Sequence, residues 1–435
     1  MHSPALEYNQ EFKNALSLFE ESRKNIFITG KAGTGKSTLI TLFRKHTGKR
    51  IVVLAPTGVS ALNVQGETIH SFFGFKPDIT LHKAETIAKR RKKAIYKELD
   101  TIIIDEISMV RADLLDCIER SLSINGPYPG LLFGGVQMIF VGDLYQLPPV
   151  TSKSEALLFP DTDTNSFFFE SPAFTTGNFA FIELLTVYRQ KDPLFIEILN
   201  RIRNNTITEK DLNLLNSRTG ADFGAHTEGY EISLTTTNAM ALRINEKHLA
   251  SLKGKTFSFH ADIQGDCKQQ RYPTEERLRL KIGAQIMMLT NDPEGRWVNG
   301  TLGTLYGINE SDDPFQTTLL IRFEDGTLEE IVRYSWEIFH FFFNSATHQI
   351  ETETIATFTQ FPLRLAWAVT IHKGQGKTFD RVVIDIGNGT FAHGQLYVAL
   401  SRCRSLEGIV LSKPLKKKHL IMNPRVIEFL EQYQQ

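Results

Sequence analysis

The stretch that most constrains this chain is Gly30-Lys31-Ala32-Gly33-Thr34-Gly35-Lys36-Ser37. It is preceded by Asn25-Ile26-Phe27-Ile28-Thr29, an apolar, β-branched run that reads as a buried strand. It is followed by Thr38-Leu39-Ile40-Thr41-Leu42-Phe43, with apolar residues at helical spacing. Strand, glycine-rich loop and helix in that order are the context a phosphate-binding loop requires. Gly33 and Gly35 let successive backbone N–H groups turn inward on a phosphate without a Cβ in the way. Lys36 is placed to reach the terminal phosphates and Ser37 to hold magnesium, with Thr34 and Thr38 completing the nucleotide-facing set. The helix N-terminus adds partial positive charge. The expected ligands are ATP and Mg2+.

Three further strand ends extend this reading. Thr101-Ile102-Ile103-Ile104 runs into Asp105-Glu106, and two carboxylates closing an apolar strand are a poor structural choice without a cation. Asp105 is expected in the magnesium sphere beside Ser37, and Glu106 is expected to orient or deprotonate the attacking water. Arg50-Ile51-Val52-Val53-Leu54-Ala55 leads into Pro56-Thr57-Gly58, a turn at the carboxyl end of a parallel strand, where ligands collect. Val136–Val141 leads into Gly142-Asp143-Leu144-Tyr145-Gln146-Leu147-Pro148, where Gln146 is expected to sense the γ-phosphate.

Other stretches leave two readings open. Gln10, near the start of a helix over 7–22, is either an adenine contact or a surface glutamine. Gly66–Phe75 mixes Thr68, His70, Phe72 and Phe73, which suits either phosphate contacts with base stacking or an apolar cap over the sheet. The run Lys89-Arg90-Arg91-Lys92-Lys93 reads as a solvated helix face rather than a nucleic-acid patch. Lys plus Arg equals Asp plus Glu at 49 each, so any nucleic-acid contact must come from local patches. Three scattered cysteines show no metal or disulfide spacing, which fits a reducing cytosol. The N-terminal residues do not read as a signal peptide, and no apolar run approaches the roughly 20 residues of a membrane span.

Taken in order, the blocks GKAGTGKST at 30–38, APTGVSA at 55–61, GETIHSFF at 66–73, IIDEISM at 103–109 and GDLYQLPPV at 142–150 become diagnostic. LLTVYRQ at 184–190, LRLAWAVTIHKGQGKTF at 363–379 and QLYVALSRCRSLEG at 395–408 continue them. The chain resembles the Pif (petite integration frequency) family of DNA helicases, in superfamily one, subgroup B, alongside RecD, and the resemblance covers nearly its whole length. Gly374 stands where the family often has serine.

The resemblance implies an α/β fold with two RecA-like parallel-sheet motor domains and a small antiparallel, Src-homology-like β-barrel insertion. Turn signals such as Asn299-Gly300 and Glu324-Asp325-Gly326 between short alternating runs predict the same barrel independently. The expected boundaries are 1–175 for the first motor domain, with a wedge-like insertion at about 62–82, then 176–244 and 356–435 for the second, and 245–355 for the barrel. Residues 183–189 are expected to form a strand of the second motor domain, and Ala366–Gly376 an amphipathic helix ending in Thr370, His372 and Lys373.

By the same resemblance Arg189 and Arg402 are arginine fingers in cis, and Gln375 and Gly376 join the nucleotide set. Single-stranded DNA would be gripped by Pro56, Thr57, Gly58, Thr68, His70, Pro148, Thr236, Asn238, His372 and Lys373, with Phe72 or Phe73 stacking at a fork. The resemblance further implies 5′-to-3′ translocation by a bacterial, cytoplasmic, nucleoid-associated monomer on single-stranded, forked or G-quadruplex DNA, in DNA repair and telomere maintenance. Two rivals remain: a translocase that strips proteins without separating strands, and a nucleotide-controlled DNA-binding switch.

Overall fold

The computed structural model describes residues 9–76, 78–90, 94–149, 167–188, 190, 192–221, 230–265 and 272–433. Arg189, Cys267 and part of the basic run at 89–93 lie outside them.

Six parallel strands form the first sheet: β1 Ile26–Gly30, β2 Ile51–Ala55, β3 Glu67–Thr68, β4 Thr101–Ile104, β5 Gln137–Val141 and β6 Ala180–Leu184, in the order β3-β2-β4-β5-β1-β6. β1, β4 and β5 are buried along their whole length, which is why they read as unbroken apolar runs. One face is covered by the helices Gln10–Glu21 and Lys36–His46. The first is started by Asn9, whose side chain accepts the Phe12 N–H at 2.8 Å. Its helical spacing lays Phe12, Ala15 and Phe19 on the sheet, and Phe19 meets Phe43 edge-on at 5.1 Å. Each buried Phe contributes about 1.5–3 kcal/mol from burial alone.

The chain then crosses through β7 Ile232–Thr235 into an antiparallel region made of β8 Phe257–His260, β9 Asp262–Gly265, β10 Arg277–Leu280, β11 Gln285–Met288, β12 Leu302–Asn309, β13 Thr318–Phe323, β14 Leu328–Ile331, β15 Tyr334–Asn344, β16 Gln349–Gln360 and β17 Leu363–Leu365. Five of these form the sheet β14-β13-β12-β11-β17, over a core that includes Leu280, Ile286, Leu305, Ile321 and Leu363. β15 and β16 form a long hairpin with a register shift at Ile338/Phe339. The chain returns through β18 Ala368–Thr370, β19 Val382–Asp385 and β20 Ile409–Leu411 to complete a four-stranded parallel sheet, β18-β7-β19-β20.

Four expectations need correction. The strand of residues 180–184 pairs with β1 in the first sheet, so that sheet continues past residue 175. Residues 366–376 form β18 and a run of turns, not a helix: Ala368, Val369 and Thr370 are buried on both faces beside β7, so an apolar run is what a strand there needs. The helix Asn238–Ser251 runs unbroken through 244/245, and β16 and β17 pair within the antiparallel region as far as Leu365, so the expected insertion limits fall inside elements.

The fourth concerns the wedge. Ile69, Phe72 and Phe73 lie on one face of the short helix Ile69–Phe73, and Phe72 and Phe73 are 0% and 1% exposed. Phe73 stacks between Phe75 at 5.3 Å and Tyr96 at 5.7 Å, and Phe72 meets Phe341 of the hairpin at 6.4 Å. Spacing i, i+3, i+4 turns these rings inward, so they are core and not a stacking platform.

Candidate functional site

β1 ends in the phosphate loop. Gly33 and Gly35 adopt φ of 86° and 84°, the left-handed region that glycine enters without strain. Gly30 is held by space instead: a Cβ there would sit 2.7 Å from Thr34 Oγ1 and 2.8 Å from the Leu184 carbonyl oxygen. Lys36 opens the following helix and folds its ammonium back over the loop, donating to the carbonyls of Gly30 at 2.7 Å and Lys31 at 3.1 Å. Burial lowers its pKa, with Asp143, Glu106 and Asp105 opposing that shift. Those carbonyl contacts hold the cation where terminal phosphates would accept the same hydrogens.

The carboxylates close the cleft from β4 and β5. The Glu106 N–H donates to Asp105 Oδ1 at 2.9 Å, and Glu106 itself sits at φ 52°, a left-handed position unusual for a side chain with a Cβ. Burial pushes Asp105 up to about 6 and Glu106 up to about 7; Asp105 adds to the rise at Glu106, while Lys36 and Arg402 oppose it. A carboxyl held near neutrality is suited to accept a proton from water.

From the second sheet, Gln375 reaches across. Its Nε2 donates to Glu106 Oε2 at 3.1 Å and to Gln146 Oε1 at 3.2 Å, while Gln146 Nε2 donates to Asp143 Oδ2 at 3.0 Å. Arg402 follows the helix Gln395–Leu400 and is 1% exposed. Its Nε donates to the Val398 carbonyl at 3.0 Å and its Nη2 to Ser401 Oγ at 2.9 Å. Lys36, Asp105, Glu106, Gln146, Gln375 and Arg402, six of the residues expected at the nucleotide, thus share one cleft between the two parallel sheets.

A scan against family models matches residues 7–212 to the PIF1-like helicase model. The chain is 33% identical over 440 residues to the ATP-dependent DNA helicase Pif1 of Bdellovibrio bacteriovorus, spanning 99% of this chain and 93% of that one. The chain belongs to the PIF1-like helicase family. Among solved structures, Bacteroides sp. Pif1 in complex with ADP-AlF4 matches with a TM-score of 0.83 at 35% identity, covering 99% of this chain and 97% of that one. Bacteroides Pif1 bound to ssDNA matches over the same shares and at the same identity, with a TM-score of 0.67.

The strand-contact candidates of this family member sit where parallel strands end. Thr57 follows β2 and caps the helix Gly58–Asn63, accepting the Ser60 N–H at 3.2 Å; Thr68 ends β3 and caps the next helix through the Ser71 N–H at 3.2 Å. Pro56 and Gly58 flank Thr57, partly buried, as His70 and Pro148 are. Thr236 and Asn238 follow β7, Thr236 buried and Asn238 exposed. His372 and Lys373 follow β18; burial lowers the His372 pKa, so it is a neutral donor at pH 7. Ser37 is exposed and Thr38 partly so on the phosphate-loop helix, Thr34 is buried, and Gly376 turns with φ 79°. Gln10 is exposed at the start of the first helix, donating to Asn14 Oδ1 at 2.8 Å, and the same helix lays the Phe12 ring against Gly35 of the phosphate loop.

Ser37 and Asp105 supply hard oxygen donors of the kind Mg2+ takes alongside substrate phosphates. Among the described residues no cluster of three or more His, Cys, Asp or Glu forms.

Several site residues escape the sequence. Asp143 is 1% exposed and holds Gln146, and its signal is available: like Asp105 it follows an apolar strand. Gln190 donates to the carbonyls of Ser401 at 2.8 Å and Cys403 at 3.4 Å, bracketing Arg402. Arg203, 5% exposed, pairs with Glu183 at 3.2 Å and lies 4.3 Å over the Tyr145 ring. Lys377 donates to Asn299 Oδ1 at 2.7 Å, tying the antiparallel region to the Gln375 turn, and burial pushes its pKa down to about 7. Nothing in the local pattern at 203 or 377 distinguishes those cations from surface ones.

Proposed function

We infer that the chain is an ATP-dependent DNA helicase, in which hydrolysis between the two parallel sheets drives movement along single-stranded DNA. The observation that carries this reading is the bond from Gln375 to Glu106. It joins the turn after β18, which also bears His372 and Lys373, to the carboxylate expected to activate water. A change at the γ-phosphate therefore has a direct route to the strand-contact loops.

In this reading Lys36 holds the terminal phosphates, Ser37 and Asp105 hold Mg2+, and Glu106 takes the proton of the attacking water. When bound, Mg2+ neutralises charge on the phosphate oxygens. Gln146, fixed by Asp143, orients around the γ-phosphate, and Arg402 meets the charge that develops during transfer. Arg189, outside the described residues, is proposed as a second finger because Gln190 beside it is bound to the backbone around Arg402. Thr57, Thr68, Asn238, His372 and Lys373 grip phosphates. We assign 5′-to-3′ polarity, forked duplex and G-quadruplex DNA as structured substrates, and monomeric action in the bacterial nucleoid as the finer parts of this proposal.

Steady-state ATP hydrolysis measured with and without single-stranded DNA tests the reading. Strong stimulation by the strand is expected. Turnover indifferent to DNA would favour an ATPase of another kind, and DNA binding without turnover would favour a nucleotide-controlled switch.

A further inference from the structure

Because β18, β7, β19 and β20 are parallel, the chain leaves all four at the same end of the second sheet. The exits from β7 and β18 carry Asn238, His372 and Lys373. The other two carry residues 386–394 and 412–419, for which the proposed helicase reading has no use.

These two loops are laced to each other and to the β7 exit. Gly387, at φ 59°, lies against Met240 of the helix that Asn238 opens: a Cβ there would be 3.0 Å from the sulfur. Lys413 Nζ donates to the Gly387 carbonyl at 3.1 Å. Thr390 Oγ1 donates to the His419 carbonyl at 2.6 Å, and the Lys416 N–H donates to His419 Nδ1 at 3.1 Å. Asp385, the acid ending β19, accepts from the Gly387 N–H at 2.9 Å and the Ser412 hydroxyl at 3.1 Å.

The result is one surface with two unusual features. Phe391 is 63% exposed, the highest figure among the described large apolar side chains, and its ring meets no other described aromatic ring. On the 412–419 loop tied to it, Lys413, Lys416, Lys417 and Lys418 are all exposed, and none makes an ion pair with a described residue. The local field is positive: after burial, Lys418 and Lys416 are what lower the pKa of His419. In a chain with equal numbers of acidic and basic residues, four lysines without a carboxylate partner among the described residues form a local patch. An exposed aromatic among unpaired cations has the chemistry of a single-strand platform, where a base stacks and its phosphates are neutralised.

We propose that Phe391 with Lys413, Lys416, Lys417 and Lys418 binds a single strand of nucleic acid, continuing the track beyond Asn238. The platform rests on the helicase reading above for the track that it extends. One base stacks on Phe391 and the flanking phosphates meet the lysines. The same loop also touches the cleft, since His393 is 2.7 Å from the Leu144 carbonyl, so occupancy of the platform is connected to the Gln146 segment.

The test is binding of the full chain to oligothymidylates of about 8 and about 20 nucleotides, lengths on either side of typical single-strand site sizes. The wild type should bind the longer strand more tightly and with a steeper salt dependence. The Lys416→Ala, Lys417→Ala, Lys418→Ala triple variant should lower the salt slope by about 0.7 for each phosphate that is no longer neutralised, on the longer strand only. Phe391→Ala should weaken the longer strand about tenfold, keeping the slope and the short-strand affinity. Melting temperatures equal to wild type exclude misfolding, as expected for surface changes. If both variants bind the two lengths as the wild type does while ATP hydrolysis still responds to DNA, the platform is overturned and the helicase reading stands. If the wild type binds no single strand at all, both fall. Loss confined to duplex binding would also overturn the single-strand assignment.

Discussion

The phosphate cleft and the segment from Gly66 to Phe75 are both dense in residues that look functional, yet they bury opposite things. In the cleft, Asp143 and Gln146 are buried and Lys36, Glu106 and Gln375 half-buried, and they are satisfied by backbone carbonyls or by each other. In the 66–75 segment the rings are taken from water, and the polar groups serve them: Thr68 caps the helix, Glu67 accepts the Ser71 hydroxyl at 2.6 Å, and the Tyr96 hydroxyl donates to the Phe72 carbonyl at 3.0 Å. Buried apolar surface needs no further reason, because burial itself stabilises it. Buried charge costs free energy unless something binds it, so the cleft is where a ligand is expected.

The largest expected effects break the cleft side of this contrast. Lys36→Ala should abolish ATP hydrolysis, a loss of at least about a thousandfold, because the phosphates lose their fixed cation. Glu106→Gln should lower turnover by about 10²–10⁴-fold while ATP binding persists, since the Ser37 and Asp105 oxygens survive. Arg402→Ala should lower kcat by about a thousandfold or more with little change in ATP affinity, as the charge it meets develops in the transition state. Unchanged kcat would leave Arg402 as a packing residue held by Val398 and Ser401.

The aromatic side should respond differently. Phe72→Ala or Phe73→Ala should cost roughly 3–5 kcal/mol of stability. Melting temperature, ATPase and unwinding should then fall together. Loss of unwinding alone, with stability intact, would restore a stacking role and erase the contrast. A smaller effect concerns Glu67, whose carboxylate accepts the Phe341 N–H at 3.1 Å and so joins the hairpin of β15 and β16 to the first sheet. Glu67→Ala should cost about 1–3 kcal/mol, read by chemical denaturation.

A further effect is a pH dependence. Burial raises the carboxyls of Asp105 and Glu106, so in metal-free protein the folded state holds protons that the unfolded chain has released. The resulting stability is complete below the ordinary carboxyl range and is lost as pH rises through about 6 to 7. Wild-type melting temperature in EDTA should therefore drop across that window more than that of Glu106→Gln. Equal slopes would mean that the Glu106 carboxyl is not perturbed.

The legibility of the chain follows the same contrast. The first sheet is readable because parallel strands buried on both faces are unbroken apolar runs, as in Thr101–Ile104, each ending in residues with no structural reason to be polar. β18 misleads because Ala366–Val369 is too short to separate strand from helix by period, and only pairing to β7 decides it. The strand at 180–184 falls to the wrong sheet on sequence order because parallel neighbours need not be neighbours in sequence. Composition leaves Phe72 and Phe73 open between a stacking platform and an apolar cap, though Ile69, Phe72 and Phe73 already have the spacing of a buried face. Asp143 obeys the argument applied to Asp105 and is readable by it; Arg203, Lys377 and Gln190 take their positions only through tertiary contacts, which no local pattern records.

Separation of a forked duplex by the wild type and by Glu106→Gln, with ATP or a non-hydrolysable analogue, tests most directly whether cleft chemistry drives strand movement. Both proteins should bind the fork. Only the wild type with ATP should separate the strands, and the rate should follow hydrolysis. Separation by Glu106→Gln, or with the analogue, would contradict the account, as would vigorous DNA-stimulated hydrolysis that never parts the strands.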